Sequence, residues 1–282
     1  MLAACGTNGV PKEGDTPPRR SLASNAYVAM GSSFAAGPKI PDAVPDQSCG
    51  RSTHNYAHLV ATDLGLDLKD VSCIGATTDN VAGTPQAMNP LQIAALTPDT
   101  GLVTITIGGN DVTYSGSLIV CGSDGMAGKS CLEAGADGTA ADVDSATVDT
   151  LLDQVGDKLV AMLNEVKQAA PAAAIYLLGY PMILGDPAIP CAPDVPMDTA
   201  DAAFLGHVGM RLQTAFAAAA AMTGVNFVDV YAASRGHDVC APAAERWVEG
   251  QANPEVAPYH PNSAGMSAQA GLIAAEIRTP KH

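Results

Sequence analysis

A serine, a histidine and two hydrogen-bond donors are spread along the chain in places that could perform acyl transfer. Gly31-Ser32-Ser33-Phe34 puts two hydroxyls directly after a short apolar run. Gly75-Ala76-Thr77 follows a second run, Gly108-Gly109-Asn110-Asp111 a third, and His260 sits in Tyr259-His260-Pro261-Asn262 ahead of the last helix-forming stretch. Acyl transfer needs a nucleophile, a base within reach of it, and donors aimed at the charge that develops on the carbonyl oxygen. Ser33, His260 and the Gly75 N–H with the Asn110 amide supply that set. Taken singly, each has a plainer explanation. A serine at a strand-to-helix turn can be an N-cap, and glycine–asparagine pairs are common in turns. Only the fold decides whether they meet.

Five short β-rich runs cover Ala26–Met30, Leu68–Cys73, Leu102–Ile107, Ile175–Gly179 and Val225–Val230. They are apolar without clean alternation, which suits strands buried on both faces of a parallel sheet. Helical stretches separate them at Asn55–Leu64, Ala146–Ala169 and Ala200–Thr223, and Ser263–Arg278 follows the last. Strand–helix alternation of this kind predicts an α/β fold: a doubly wound three-layer sandwich with a five-stranded parallel sheet in the flavodoxin-like order 2-1-3-4-5. In that order the ends of strands one, two and three are neighbours, so Ser33, Gly75 and Asn110 converge on one crevice. The last helix brings His260 over the same rim. Three long loops, Asp111–Ser145, Tyr180–Asp198 and Tyr231–Asn262, also follow strands and so lie at the carboxyl edge, where such folds bind ligands.

The 282 residues are 47% hydrophobic but only 4% aromatic, with a formal charge of -15 and a pI near 4.5. That balance excludes a nucleic-acid partner, which needs a surplus of Lys and Arg. No apolar run reaches the ~18 residues needed to span a bilayer. His54 and His58 have the spacing of some zinc pairs, but Asn55 stands where a zinc-protease helix would carry Glu, and no metal or other cofactor is expected. Asp111 reads as holding its turn rather than titrating. Trp247 either lines an acyl pocket or braces the last loop, and Tyr56, His207 and His237 have no partner visible in sequence. Six of the seven cysteines (Cys49, Cys73, Cys121, Cys131, Cys191 and Cys240) form an even set with fifteen possible pairings, and none falls in a C-x-x-C pair.

The strings YVAMGSSFAAGP, DVSCIGATT, LVTITIGGNDV and HPNSAG resemble, in order, the four blocks of the SGNH (GDSL-like) hydrolases, most of all the three-disulfide actinobacterial lipases and esterases. The resemblance runs from Ala26 to the end, which makes 26–282 one hydrolase domain. It implies a serine esterase or lipase acting on acyl esters, with Ser33 as nucleophile, His260 as base, and an oxyanion hole of Gly75, Asn110 and the Ser33 N–H. An acyltransferase with the same residues, or an inactive envelope lipoprotein that binds lipid or glycan, is the alternative. Two positions depart from the family pattern: Ser32 replaces an Asp, and Ala257 replaces the acid three residues before the histidine. The second suggests a main-chain carbonyl near Ala257 as the acceptor that orients His260, with Glu255 or Glu249 as the competing carboxylates. The relatives also imply sequential disulfides, Cys49–Cys73, Cys121–Cys131 and Cys191–Cys240, each joining segments that the predicted topology makes neighbours.

The opening Leu2-Ala3-Ala4-Cys5 resembles the lipobox of bacterial lipoproteins, in which the cysteine carries the lipid. The expectation is a trimmed signal peptide, a lipidated Cys5 and a flexible tether over 1–25. The protein is then a monomer, exported and either held at the outer face of the membrane or secreted.

Overall fold

The computed structural model describes residues 22–45, 47–134, 140–253 and 257–279. Cys5, most of the expected tether, and Glu255 lie outside the described residues.

Five parallel strands form one sheet: β1 (Ala26–Gly31), β2 (Asp67–Asp70), β3 (Leu102–Thr106), β4 (Ala174–Leu178) and β5 (Asn226–Val228), in the order 2-1-3-4-5. The three inner strands are apolar on both faces because helices cover both. Alternate residues point to two separate cores. Met30, Val103 and Ile105 pack with α5 (Ser145–Ala169) and α6 (Thr199–Thr223), whereas Tyr27 and Ala29 pack with α2 (Tyr56–Leu64) and α8 (Ser263–Arg278). The remaining α-helices are α1 (Ser33–Ala36), α3 (Thr78–Ala82), α4 (Tyr114–Met126) and α7 (Val230–Ala233). Side chains one residue ahead of the long helices fix where they begin. Asn55 accepts from the His58 N–H, Asp144 from Ala146, Asp198 from Asp201 and Asn262 from Gly265. Gly224 in the left-handed conformation ends α6.

The edge strands are where the sequence misled. β2 stops at Asp70 rather than at Cys73, and its side chains are half exposed, since an edge strand has a neighbour on one side only. β5 is three residues long, and Asp229 then caps α7 by accepting from the Ala232 N–H. The expected loop Asp111–Ser145 is also corrected, because it contains the thirteen-residue α4. Gly116, Gly122 and Gly125 each lower helix propensity by about 1 kcal/mol, so the sequence reads as loop. Burial of Tyr114 and Leu118, each contributing about 1.5–3 kcal/mol, offsets that cost, and the Cys121–Cys131 disulfide anchors the helix end. The other bridges are Cys49–Cys73 and Cys191–Cys240, so the pairing is the sequential one.

Candidate active site

The turn after β1 is built to present a serine. Gly31 has φ +139°, and a Cβ there would collide with the Thr106 carbonyl of β3, so only glycine fits. Past the end of β2, Gln92 joins the Cys73 N–H at Gly31: the Gly31 N–H donates to Gln92 Oε1 at 2.7 Å, and the Gly31 carbonyl accepts from Gln92 Nε2 at 2.9 Å and from the Cys73 N–H at 3.0 Å. The Ser32 N–H donates to the Thr106 carbonyl at 2.9 Å. Ser33 is thus the first residue of α1, not its cap, and its N–H has no partner within the helix.

Ser33 Oγ lies 2.8 Å from His260 Nε2, across 227 residues of sequence, and both side chains are buried. His260 Nδ1 lies 2.7 Å from the Pro258 carbonyl oxygen. A carbonyl can only accept, so the proton is on Nδ1, and Nε2 is left as an acceptor facing the serine hydroxyl. This corrects the expected Ala257 carbonyl by one residue. The Ala257 oxygen is taken up by the His260 N–H at 3.3 Å, and Tyr259, at φ +57°, reverses the chain between them. Glu249 does not reach the ring. Its carboxylate pairs with Arg246 at 2.9 Å and accepts from Asn262 Nδ2 at 2.9 Å.

Burial holds the His260 pKa below the ordinary imidazole value, opposed by the hydrogen bond to Pro258. The ring rests on Phe34 with centroids 4.7 Å apart, and Phe34 stacks on Tyr180 at 4.1 Å. The Tyr180 hydroxyl accepts from the Gly109 N–H and lies 3.1 Å from Ser32 Oγ. Ser32 is therefore engaged with a tyrosine at the turn.

On the donor side, Gly75 has φ +75° and is exposed. Asn110 Nδ2 donates to the Ala76 carbonyl at 2.9 Å, which fixes the amide plane and leaves its second N–H unspent by that bond. Asp111 ties the same two loops together, accepting from the Thr78 N–H at 2.9 Å and the Thr78 hydroxyl at 2.6 Å. Burial raises its pKa, and those hydrogen bonds oppose the rise.

Other singled-out residues have structural settings. His54 precedes α2 rather than sharing its face with His58; its Nδ1 accepts from the Asp42 N–H, and the His58 ring sits on Asn55 Oδ1. Trp247 stacks on His237 at 4.5 Å and braces the last loop. The Tyr56 hydroxyl meets Thr106 Oγ1, and His207 lies exposed on α6. Sequence reasoning missed Gln92, Tyr180 and the pair Asp194–Arg246 (2.9 Å), which is continuous with Glu249 and Asn262 beneath the histidine loop.

With this geometry in view, the likeness to known proteins is specific. The GDSL-like Lipase/Acylhydrolase family model matches residues 29–268. Lipase 2 of Streptomyces coelicolor is 33% identical over 256 residues, 88% of this chain and 84% of that one. The crystal structure of an extracellular lipase from Streptomyces rimosus superposes with a TM-score of 0.72 at 26% identity, covering 91% of this chain and all of that one. A phospholipase A1 from Streptomyces albidoflavus NA297 shares the fold, with a TM-score of 0.68 at 22% identity over 90% of this chain and 99% of that one.

Proposed function

The chain belongs to the GDSL-like lipase/acylhydrolase family and is a carboxylic ester hydrolase, and from that premise we propose that it works through an acyl-enzyme on Ser33. The observation that carries this reading is the 2.8 Å contact between Ser33 Oγ and the acceptor nitrogen of a histidine whose tautomer a carbonyl has fixed. As Ser33 Oγ attacks the ester carbonyl, its proton passes to His260 Nε2. The Gly75 N–H, the Asn110 amide and the Ser33 N–H receive the oxyanion. Collapse of the tetrahedral intermediate expels the alcohol, which takes the proton from Nε2. Water then repeats the cycle in reverse roles and frees the acid. The Pro258 carbonyl does the orienting work of the triad carboxylate without its full charge, so the imidazolium is less stabilised than in a triad.

Three disulfides suit an oxidising compartment, so the reading includes export, with a lipid on Cys5 tethering a monomeric enzyme to the membrane. Among the described residues no helix is long and apolar enough to cross a membrane. The test is to treat the protein with a small fluorophosphonate during turnover of a short-chain chromogenic ester. We expect inactivation with one adduct, mapped to Ser33. Hydrolysis that survives full modification of Ser33, or an adduct elsewhere, overturns the mechanism.

A further inference from the structure

One of the proposed oxyanion donors is a backbone N–H in a turn whose middle peptide can face either way. Cys73-Ile74-Gly75-Ala76 is closed by the Ala76 N–H on the Cys73 carbonyl at 3.2 Å. Gly75, third in the turn, has φ +75°, whereas Ile74 is not among the residues with positive φ. That combination is a type II turn, which favours glycine at this place. A type I turn has the same ends, but its middle peptide is rotated by about half a turn. Here the middle peptide joins Ile74 to Gly75, and its N–H is the donor in question. Its direction is what the protein has to fix.

We propose that Gln86 is the positioning residue that fixes it. The inference deepens the proposed mechanism and rests on Gly75 serving there as an oxyanion donor. Gln86 Nε2 donates to the Ile74 carbonyl at 2.8 Å, the other end of the same peptide unit. The carbonyl and N–H of a trans peptide point in opposite directions, so holding one holds the other. A flip of the peptide would break this bond. The bond also polarises the peptide and makes its N–H a stronger donor, because hydrogen bonds in a chain strengthen one another. The glutamine lies against Gly75: a Cβ there would stand 3.5 Å from Gln86 Nε2. The Ala76 carbonyl is held in the same way by Asn110 Nδ2 at 2.9 Å. Two side-chain amides from different loops thus grip the carbonyls one residue to either side of Gly75.

Gln86 is itself placed by a small clip of chain. The Asn89 N–H donates to the Gln86 carbonyl at 2.9 Å, and the two residues form an isolated antiparallel bridge. Ala87 within the clip has φ +52°, a left-handed conformation that non-glycine residues resist and that gathers at functional sites. Met88 at the tip is 97% exposed and Ala87 is exposed beside it, so neither side chain fills a core. The side-chain hydrogen bonds from the clip to the rest of the protein both go to the Gly75 turn. Gln86 holds Ile74, and Asn89 Nδ2 reaches Cys73 Sγ at 3.6 Å. A strained clip with no apolar payload and both amides on one turn is built to aim that turn.

The experiment compares phenyl acetate with its thiono counterpart, in which sulfur replaces the carbonyl oxygen. The proteins are the wild type, Gln86→Glu, Gln86→Leu, Met88→Ala and Asn110→Ala. Sulfur accepts hydrogen bonds weakly, so the thiono ester draws little from the donors, and a damaged donor costs the oxygen ester more. Gln86→Glu keeps the shape and removes the N–H; Gln86→Leu removes both polar atoms. Each should lower kcat for phenyl acetate by about 10–100-fold with KM within about twofold, short of the about 10²–10³ for losing a donor outright. The oxygen-to-sulfur rate ratio should fall with it, by about threefold or more. Met88→Ala should leave both rates unchanged. Melting temperature should move by no more than about 2–4 °C, as for one hydrogen bond. An equal loss on both esters, a rise in KM alone, an unchanged kcat, or the same fall in Met88→Ala would overturn the positioning role. Asn110→Ala separates that role from the mechanism beneath it. If Asn110→Ala lowers the ratio and the Gln86 variants do not, the role of Gln86 alone fails. If none of them moves it, the oxyanion hole fails as well.

Discussion

On the serine side of the cleft, position is set by the sheet. Gly31, Ser32 and Cys73 are held by backbone hydrogen bonds that extend the register of β1 with β3 and β2, and Gln92 completes the pattern where β2 runs out. On the histidine side the described residues offer only an isolated antiparallel bridge, Val248 with Pro261. His260 lies in an irregular segment whose backbone is caught on Trp247 and Glu249: Glu249 N–H donates to the His260 carbonyl, Tyr259 N–H to Glu249, and Asn262 N–H to Trp247. Beneath it, Arg246 bridges Asp194 and Glu249, and the Cys191–Cys240 disulfide joins the two loops from which these groups come. One half of the site therefore inherits the rigidity of the sheet, and the other hangs on a short backbone bridge to residues 247–249 that side-chain ion pairs and a disulfide support. The lesson is that the first half should tolerate loss of peripheral contacts, whereas the second should loosen when any one of its charges is removed.

The largest effects come from the two residues where the halves meet. Ser33→Ala and His260→Ala should each reduce ester turnover to near background, a loss on the order of 10⁶, with melting temperature hardly changed. Ser32→Ala should stay active, because its hydroxyl faces Tyr180 rather than His260. An inactive Ser32→Ala beside an active Ser33→Ala would place the nucleophile one residue earlier. Next comes Asn110→Ala: in the oxyanion hole proposed above the amide would meet charge only in the transition state, so kcat should fall by about 10²–10³ with little change in KM. An unchanged kcat would make Asn110 a turn residue and nothing more.

A sharper test of the comparison is Arg246→Ala against Glu249→Gln. Removing the arginine leaves two carboxylates facing each other without a cation. Because the side chains are only partly buried, the stability loss should be somewhat less than the about 3–5 kcal/mol of a fully buried pair. Activity should fall with it as the histidine loop loosens. Glu249→Gln keeps the bond from Asn262 and should lower turnover by less than about tenfold, whereas loss of a true triad acid costs about 10⁴. A fall of that size would mean that Glu249, not the Pro258 carbonyl, governs the imidazole.

The same division explains what could be read from the sequence. The inner strands, the sheet order and the long helices follow from apolar runs, strand–helix alternation and capping residues that the sequence displays locally. Helix α4 stayed hidden because its three glycines deny what burial of Leu118 enforces at long range. Gln92 and Tyr180 carry no local signal, since a glutamine replacing a strand's hydrogen bonds is recognisable only once that strand is seen to stop. That His260 would turn to Pro258 rather than Ala257 depends on the left-handed backbone at Tyr259. A tyrosine rarely adopts that conformation, and neither composition nor spacing announces it.

The smallest expected effect concerns pH. Burial against Phe34 lowers the His260 pKa, and the neutral carbonyl of Pro258 only partly opposes that shift. The base must be unprotonated to work, so kcat/KM should be lost as pH falls through this pKa, with a midpoint below the imidazole reference of about 6.5. A triad carboxylate would act in the opposite direction, stabilising the imidazolium and moving the midpoint up. Stability carries the same sign. Below about 6.5 the unfolded chain binds a proton that the native imidazole does not, so unfolding free energy declines until pH reaches the folded pKa. His260→Gln should remove that part of the decline, which a pair of melting series in acid would show. An acid midpoint above 6.5 in the pH–rate profile of the wild type would mean that a negative charge reaches Nδ1 during turnover. It would then be the carboxylate, and not the carbonyl, that completes the histidine side of the cleft.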